Sequence, residues 1–230
     1  MPLLAFDTST EHLSVAVQVG ERVFAHEGAG GAQASHALIP AIERLLAQAG
    51  TSLDALQAIV FGQGPGSFTG LRTACAVAQG LAFGAGVPVL PVPTLMAVAE
   101  EARQAHGCTR VLAALDARMD EVYAAGFTWD EARRLWQPQG EVRLLAPQAV
   151  VVPAGWTLAG NAAPVYGQRL APAAQRVSAL PTATALLRMA PALIAHGGAV
   201  AAERALPLYV RDKVAQTTAE REAARAERGA

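Results

Sequence analysis

The chain has 230 residues, of which 52% are apolar, 16% charged and 5% aromatic, and its formal net charge is −1. That length holds one large domain or two small ones, the near-neutral balance argues against a broad electrostatic footprint for nucleic acid, and no apolar run approaches the ~18 residues of a membrane span. Cys75 and Cys108 lie far apart and outside any C-x-x-C pattern, so neither a disulfide framework nor a zinc site has support and a reducing cytoplasm fits best.

Residues 3–6 read as a strand and not as a signal peptide, because no basic segment precedes them and Asp7 ends the apolar run at once. Asp7-Thr8-Ser9-Thr10 is a turn rich in oxygen side chains. Residues 13–19 alternate as a second strand, Gly20-Glu21 turns the chain, and 22–26 supply a third strand of a meander. The glycines at 28–31 read as a flexible break. A helix over 35–49 places Leu38, Ile42, Leu45 and Ala49 on one face, widened by Ile39 and Leu46, with Gly50 as its stop. Pro40 either kinks that helix or sits in its first turn.

Residues 56–61 form a short buried strand, and 69–85 a helix. Between them runs Gln63-Gly-Pro-Gly-Ser-Phe-Thr-Gly-Leu-Arg72, with three glycines and one proline from Gly64 to Gly70. Such a loop turns sharply and leaves backbone N–H groups free to face an anion at a helix N-terminus. Asp7, Thr8, Gly64, Gly66 and Ser67 are therefore the candidates for holding a nucleotide. The competing reading is a capping turn, in which Ser67 or Thr69 satisfies the same donors. Neither the Gly-Lys-Ser/Thr of a P-loop nor Gly-x-Gly-x-x-Gly is present.

Residues 87–90 make another strand and 94–106 a helix closed by Gly107. The second half then opens as the first did. Residues 111–116 are an apolar strand ending in Asp116, 117–121 a turn that includes Asp120, and 122–127 a strand. This strand-acid-turn-strand recurs without a residue-by-residue match, and it suggests two similar lobes with a cleft between them. An acid in that position holds a metal or water beside a phosphate tail, or caps the turn that follows. Residues 137–181 are rich in Pro, Gly and Ala and give no clear elements; 182–196 read as a helix despite Pro191, 206–212 as extended, and 217–230 as a charged, solvated tail. The expected division is an N-terminal lobe at 1–108, a C-terminal lobe at 109–213 with a helix returning to pack on the first, and the tail at 214–230.

Asp7-Thr8-Ser9-Thr10, the run from Gly64 to Arg72, Ala78-Gln79-Gly80-Leu81-Ala82, the strand ending Leu115-Asp116-Ala117-Arg118-Met119, and Leu208-Tyr209-Val210-Arg211-Asp212 together resemble the TsaB family. The resemblance covers nearly all of residues 1–213. It implies an α/β, two-lobed actin/sugar kinase/Hsp70-like fold with duplicated mixed-sheet lobes. It also implies a role in the complex that places threonylcarbamoyl on N6 of adenosine 37 in tRNAs reading codons that begin with A. In that complex a TsaB chain pairs with its catalytic paralogue TsaD, joined by the ATPase TsaE, and alone it can form a homodimer. The paralogue carries a His-x-x-x-His metal motif; here Thr94 and Val98 stand in its place, and no two of the five histidines (12, 26, 36, 106 and 196) are spaced i, i+4.

The resemblance thus implies a non-catalytic scaffold without a metal or nucleotide cofactor of its own. Its partner face is expected on the helices at 35–49 and 69–85, with Leu38, Ile42, Leu45, Arg72, Ala76 and Gly80 as contact residues. Ala76, Gly80 and Gly84 recur every fourth position, which suits close helix approach, on a partner or on the chain's own sheet. The alternatives are an independent kinase of the same fold, using Asp7 and the glycine loop with Asp116 or Asp120 as base, and a metal-dependent peptidase.

Overall fold

The computed structural model describes residues 2–211, so the expected tail at 214–230 and the positions 212–213 lie outside the described residues. The first half runs β1 (Leu3–Asp7), β2 (His12–Val19), β3 (Arg22–Ala29), α1 (Ala34–Ala49), β4 (Ala58–Gly64), α2 (Phe68–Ala85), β5 (Val89–Pro93) and α3 (Thr94–His106). The second runs β6 (Arg110–Asp116), β7 (Val122–Asp130), β8 (Leu135–Leu145), β9 (Thr157–Ala159), α4 (Ala162–Tyr166), β10 (Gln175–Val177) and α5 (Ala183–Ala195).

These strands form two five-stranded mixed sheets, ordered β3-β2-β1-β4-β5 and β8-β7-β6-β9-β10. In each, the first strand pairs antiparallel with the second and parallel with the fourth, and the fourth pairs parallel with the fifth. The second sheet therefore repeats the first strand for strand. Residues 111–116 and 3–7 sit in separate sheets, as duplication requires. The architecture is α/β with two duplicated mixed-sheet lobes, the actin/sugar kinase/Hsp70-like arrangement.

Strand alternation sends Leu4 and Phe6 to one face of the first sheet and Leu3 and Ala5 to the other. The first face is covered by α1 and α2 through Leu38, Ile42, Leu45, Ala74, Ala78 and Ala82. The second face joins Val111, Ala113, Leu115, Tyr123 and Phe127 of the other sheet, with α3 and α5 between them, in one core that crosses the lobes. A buried Glu100 on α3 fixes that crossing. It accepts from Arg103, from Arg188 on α5 at 3.0 Å and from Trp136 on β8 at 3.1 Å. α5 lies against β1, β2 and β4, which are strands of the other lobe.

One expectation changes, and one pair of alternatives is decided. Gly28 and Ala29 are no flexible break: they continue β3, paired with Leu13 and His12, because a partner strand overrides glycine's weak strand preference. Pro40 lies inside α1, on its exposed side, and does not start it. Gly50 closes α1 in the left-handed conformation at φ 66°. No helix among the described residues is long and apolar enough to cross a membrane.

Candidate functional site

The glycine loop leads from β4 into α2, and it is filled by this chain. Ser67 caps α2, its Oγ accepting from Gly70 N at 3.1 Å. Ser67 N donates to Ser9 O at 2.7 Å, Thr8 Oγ1 to Gly70 O at 2.7 Å, and Gly64 N to Thr94 Oγ1 at 3.1 Å. A Cβ on Gly66 would lie 2.4 Å from Ser9 O, and one on Gly70 1.8 Å from Thr8 O. These two glycines are needed because the turn after β1 packs directly on the loop. The N–H groups that could have cradled an anion at 64, 67 and 70 already have acceptors inside the chain.

Asp7 ends β1 fully buried, accepting from Ser9 N at 2.8 Å and Ser9 Oγ at 2.6 Å. Burial pushes its carboxyl up to about 6, against the opposing pull of the Ser9 hydrogen bonds. The acid therefore caps its own turn. Thr94 and Val98, at the positions of the paralogue's metal ligands, are both buried at 0% exposure.

The second lobe presents the same turn differently. Asp116 ends β6 and accepts from Arg118 N at 2.9 Å and Tyr166 Oη at 2.7 Å, with Arg118 Nη1 3.1 Å away. Burial and that carboxylate push the Tyr166 hydroxyl up to about 12, so it stays a donor. Arg118, Met119 and Asp120 all adopt left-handed backbone, at φ 60°, 55° and 62°. Arg118 reaches across the cleft to Glu11 at 2.8 Å, and Asp120 pairs with Arg169.

A strap made of residues 205–211 closes the cleft. Leu208 N donates to Gln63 O at 2.7 Å, while Cys75 Sγ and Gln79 Nε2 donate to Ala205 O. At its far end Arg211 Nη2 donates to Ala117 O at 2.9 Å and Glu121 Oε2 at 2.6 Å. A cavity of about 190 Å³ remains beneath it, walled by Phe68, Leu71, Met119, Tyr123, Tyr209 and Arg211.

The expected partner residues divide. Leu38, Ile42 and Leu45 are 0%, 1% and 2% exposed, inside the chain's own core, so their assignment to a partner face is corrected. An apolar helical stripe points at the nearest large apolar surface, which here is the first sheet. Arg72, Ala76 and Gly80 are exposed on α2, and a Cβ on Gly80 or Gly84 would meet nothing within 4 Å. Beside them Phe83 is 83% exposed, a residue the sequence reading missed although it lies three positions from Gly80.

Paired sheets, each opening on an acid-ended turn at a common cleft, define a two-lobed protein of the sugar-kinase type whose glycine loop is occupied by its own turn. The family model described as TsaD: tRNA N6-adenosine threonylcarbamoyltransferase matches residues 29–220. The chain is 38% identical over 224 residues to the tRNA threonylcarbamoyladenosine biosynthesis protein TsaB of Escherichia coli, covering 94% of this chain and 96% of the relative. Its identity to the Haemophilus influenzae protein of the same name is 45% over 136 residues, 58% of this chain and 56% of that one. YeaZ from Pseudomonas aeruginosa superposes with a TM-score of 0.84 at 41% identity, over 90% of this chain and 99% of that one. The chain belongs to the TsaB family and to tRNA threonylcarbamoyladenosine biosynthesis.

Proposed function

We propose that this chain is a non-catalytic scaffold that binds and supports the TsaD-type subunit of a cytoplasmic threonylcarbamoyl-transferase complex, with TsaE and tRNA engaged through that complex. It works without a metal or nucleotide of its own, and in the partner's absence it pairs with a second copy through the same face. The observation that carries this reading is the outer ridge of α2, where Ala76, Gly80 and Gly84 lie bare beside the exposed Phe83. Small residues let a second helix approach closely, and a large exposed aromatic supplies the apolar area on which interface centres depend. The internally engaged donors of the glycine loop favour the scaffold over an independent kinase.

Gly80→Arg tests it. Open space around Gly80 leaves room for the new side chain, and arginine favours a helix over glycine by about 1 kcal/mol, so the variant folds with an unchanged or raised melting temperature. Its affinity for the TsaD-type subunit from the same organism is expected to fall by about a hundredfold or more, and tRNA modification by the reconstituted complex to fall with it. Wild-type affinity in a folded Gly80→Arg chain would place the partner elsewhere. ATP turnover by the isolated chain that disappears with Asp7→Ala would favour the kinase.

A further inference from the structure

Along α2 the exposed residues four apart are Phe68, Arg72, Ala76, Gly80 and Gly84, and Arg72 is the only charged residue of the whole helix. Its guanidinium lies over the Phe68 ring, the central carbon 3.7 Å from the ring centroid. Nε donates to Tyr209 Oη at 3.1 Å, and the Phe68 and Tyr209 rings meet at 5.5 Å. The strap, anchored at Leu208 and Arg211, thus clamps a helix side chain that would otherwise sample many rotamers. Nη1 and Nη2 make no hydrogen bond or ion pair among the described residues.

We infer that Arg72, held by Phe68 and Tyr209, is a preformed fork that takes a carboxylate side chain of the partner subunit at the N-terminal end of the α2 face. This rests on the reading that α2 binds the TsaD-type subunit, and it names the contact that fixes the partner's register. A guanidinium stacked on one aromatic and hydrogen-bonded through Nε has lost most of its freedom already, so closing two parallel N–H···O bonds on a carboxylate orders little more. The surroundings match a protein carboxylate better than an RNA phosphate. A phosphate track needs several free cations in a row, whereas among the described residues Arg72 is the only cation of α2, and Arg118 and Arg211, which share the cavity with Phe68 and Tyr209, are already paired with Glu11, Asp116 and Glu121. Charge complementarity at one point and small apolar residues along the rest describe a helical protein partner with one acid facing Arg72.

The experiment measures affinity for the TsaD-type subunit at low and high salt, using the full chain and the variants Arg72→Gln, Arg72→Lys, Tyr209→Phe and Gly80→Arg. Arg72→Gln is expected to lose about thirtyfold at low salt and to flatten the salt dependence. Arg72→Lys keeps the charge without the planar fork and recovers no more than about threefold. Tyr209→Phe, which removes only the acceptor for Nε, loses about threefold. A purely structural role for Arg72 would instead lower the melting temperature or the hydrogen-exchange protection of the Leu208 amide, leaving affinity in place; that result overturns the inference. If Gly80→Arg abolishes association and Arg72→Gln does not weaken it, the inference falls and the reading of the α2 face stands. If neither variant affects binding, both fall. A chain ending at Arg211 that loses the salt dependence would assign the acid to this chain's own residues 212–230, and loss of tRNA affinity alone in Arg72→Gln would make the site a phosphate site; either result overturns the inference.

Discussion

The turn after β1 and the turn after β6 occupy the same place in the same topology, and each acid accepts from an N–H two residues on, but the rest of each turn is held differently. Asp7 is sealed at 0% exposure and bonded to its own turn, and the backbone of 8–9 lies on glycines that have no side chain to displace. Asp116 is tied to residues distant in sequence, Tyr166 and Asn161, and the turn beyond it is held in left-handed backbone by Arg211 of the strap. The first turn is fixed by backbone packed against glycines and by short bonds to the loop, Ser67 N to Ser9 O and Thr8 Oγ1 to Gly70 O, the second by long side-chain arms from distant residues. Duplicated halves therefore need not share a mechanism of rigidity. The first should tolerate no added bulk, and the second should tolerate change at its tip.

The sharpest test of that contrast is Gly70→Ala. The new methyl would sit 1.8 Å from Thr8 O, a backbone atom that cannot rotate away, so the turn after β1 or the start of α2 must move. The expected loss is about 3 kcal/mol or more, seen in chemical denaturation. A loss below about 1 kcal/mol would show that the first turn yields easily and would erase the contrast.

Next comes charge. Asp7 titrates at about 6 when folded, against 3.8 ordinarily, because burial disfavours its anion. Between those values the folded state holds a proton that the unfolded state has lost, so stability falls as pH rises from about 4 to about 6. A shift of that size amounts to about 3 kcal/mol, fully lost above the folded value. Asp7→Asn keeps an oxygen for Ser9 and removes the titration. It should be more stable than the parent by about 2 kcal/mol at pH 8, with the gap closing towards pH 4. Asp116→Asn should go the other way and lose about 1 kcal/mol, because it gives up the pair with a mostly exposed Arg118. Melting curves of both variants across pH 4 to 8 compare the two acids directly. Equal responses would mean that the two turns share one electrostatic environment.

The duplication was legible in the sequence because an acid closing a short apolar strand before a turn is a local pattern, and it occurs at both Asp7 and Asp116. Ser67 as a cap was equally local. The orientation of α1 was not. Leu38, Ile42 and Leu45 share a helical face whether that face meets a sheet or a partner, and periodicity carries no information about which. Residues 137–181 resisted for another reason: β9 and β10 have three residues each and α4 five, too short for any period to emerge. Among the sites, the loop that could have cradled an anion differs from one filled by its own turn only in tertiary contacts such as Ser67 N to Ser9 O. Arg72 was legible as an exposed helix position, but its clamp was not, since Tyr209 is separated from it by 137 positions.

The smallest expected effect lies at the tip of the second turn, and its sign is what matters. Met119 sits at φ 55° between two other left-handed residues and is 58% exposed. A side chain in that conformation costs about 1 kcal/mol relative to glycine, which adopts it freely. Met119→Gly removes that strain, and it also removes the sulfur that lies 3.2 Å from Arg211 Nη1, a contact of little strength at an exposed site. The greater freedom of glycine in the unfolded chain opposes the gain by a further few tenths to 1 kcal/mol. The balance is a change between zero and about 0.5 kcal/mol towards stability, where adding a single methyl at Gly70 costs about 3 kcal/mol or more. Arg211 Nη2 still holds Ala117 O and Glu121 Oε2, so the turn keeps its shape. A loss above about 1 kcal/mol for Met119→Gly in matched denaturation curves would show that the second turn, like the first, depends on its own side chains and not on the arms that reach it.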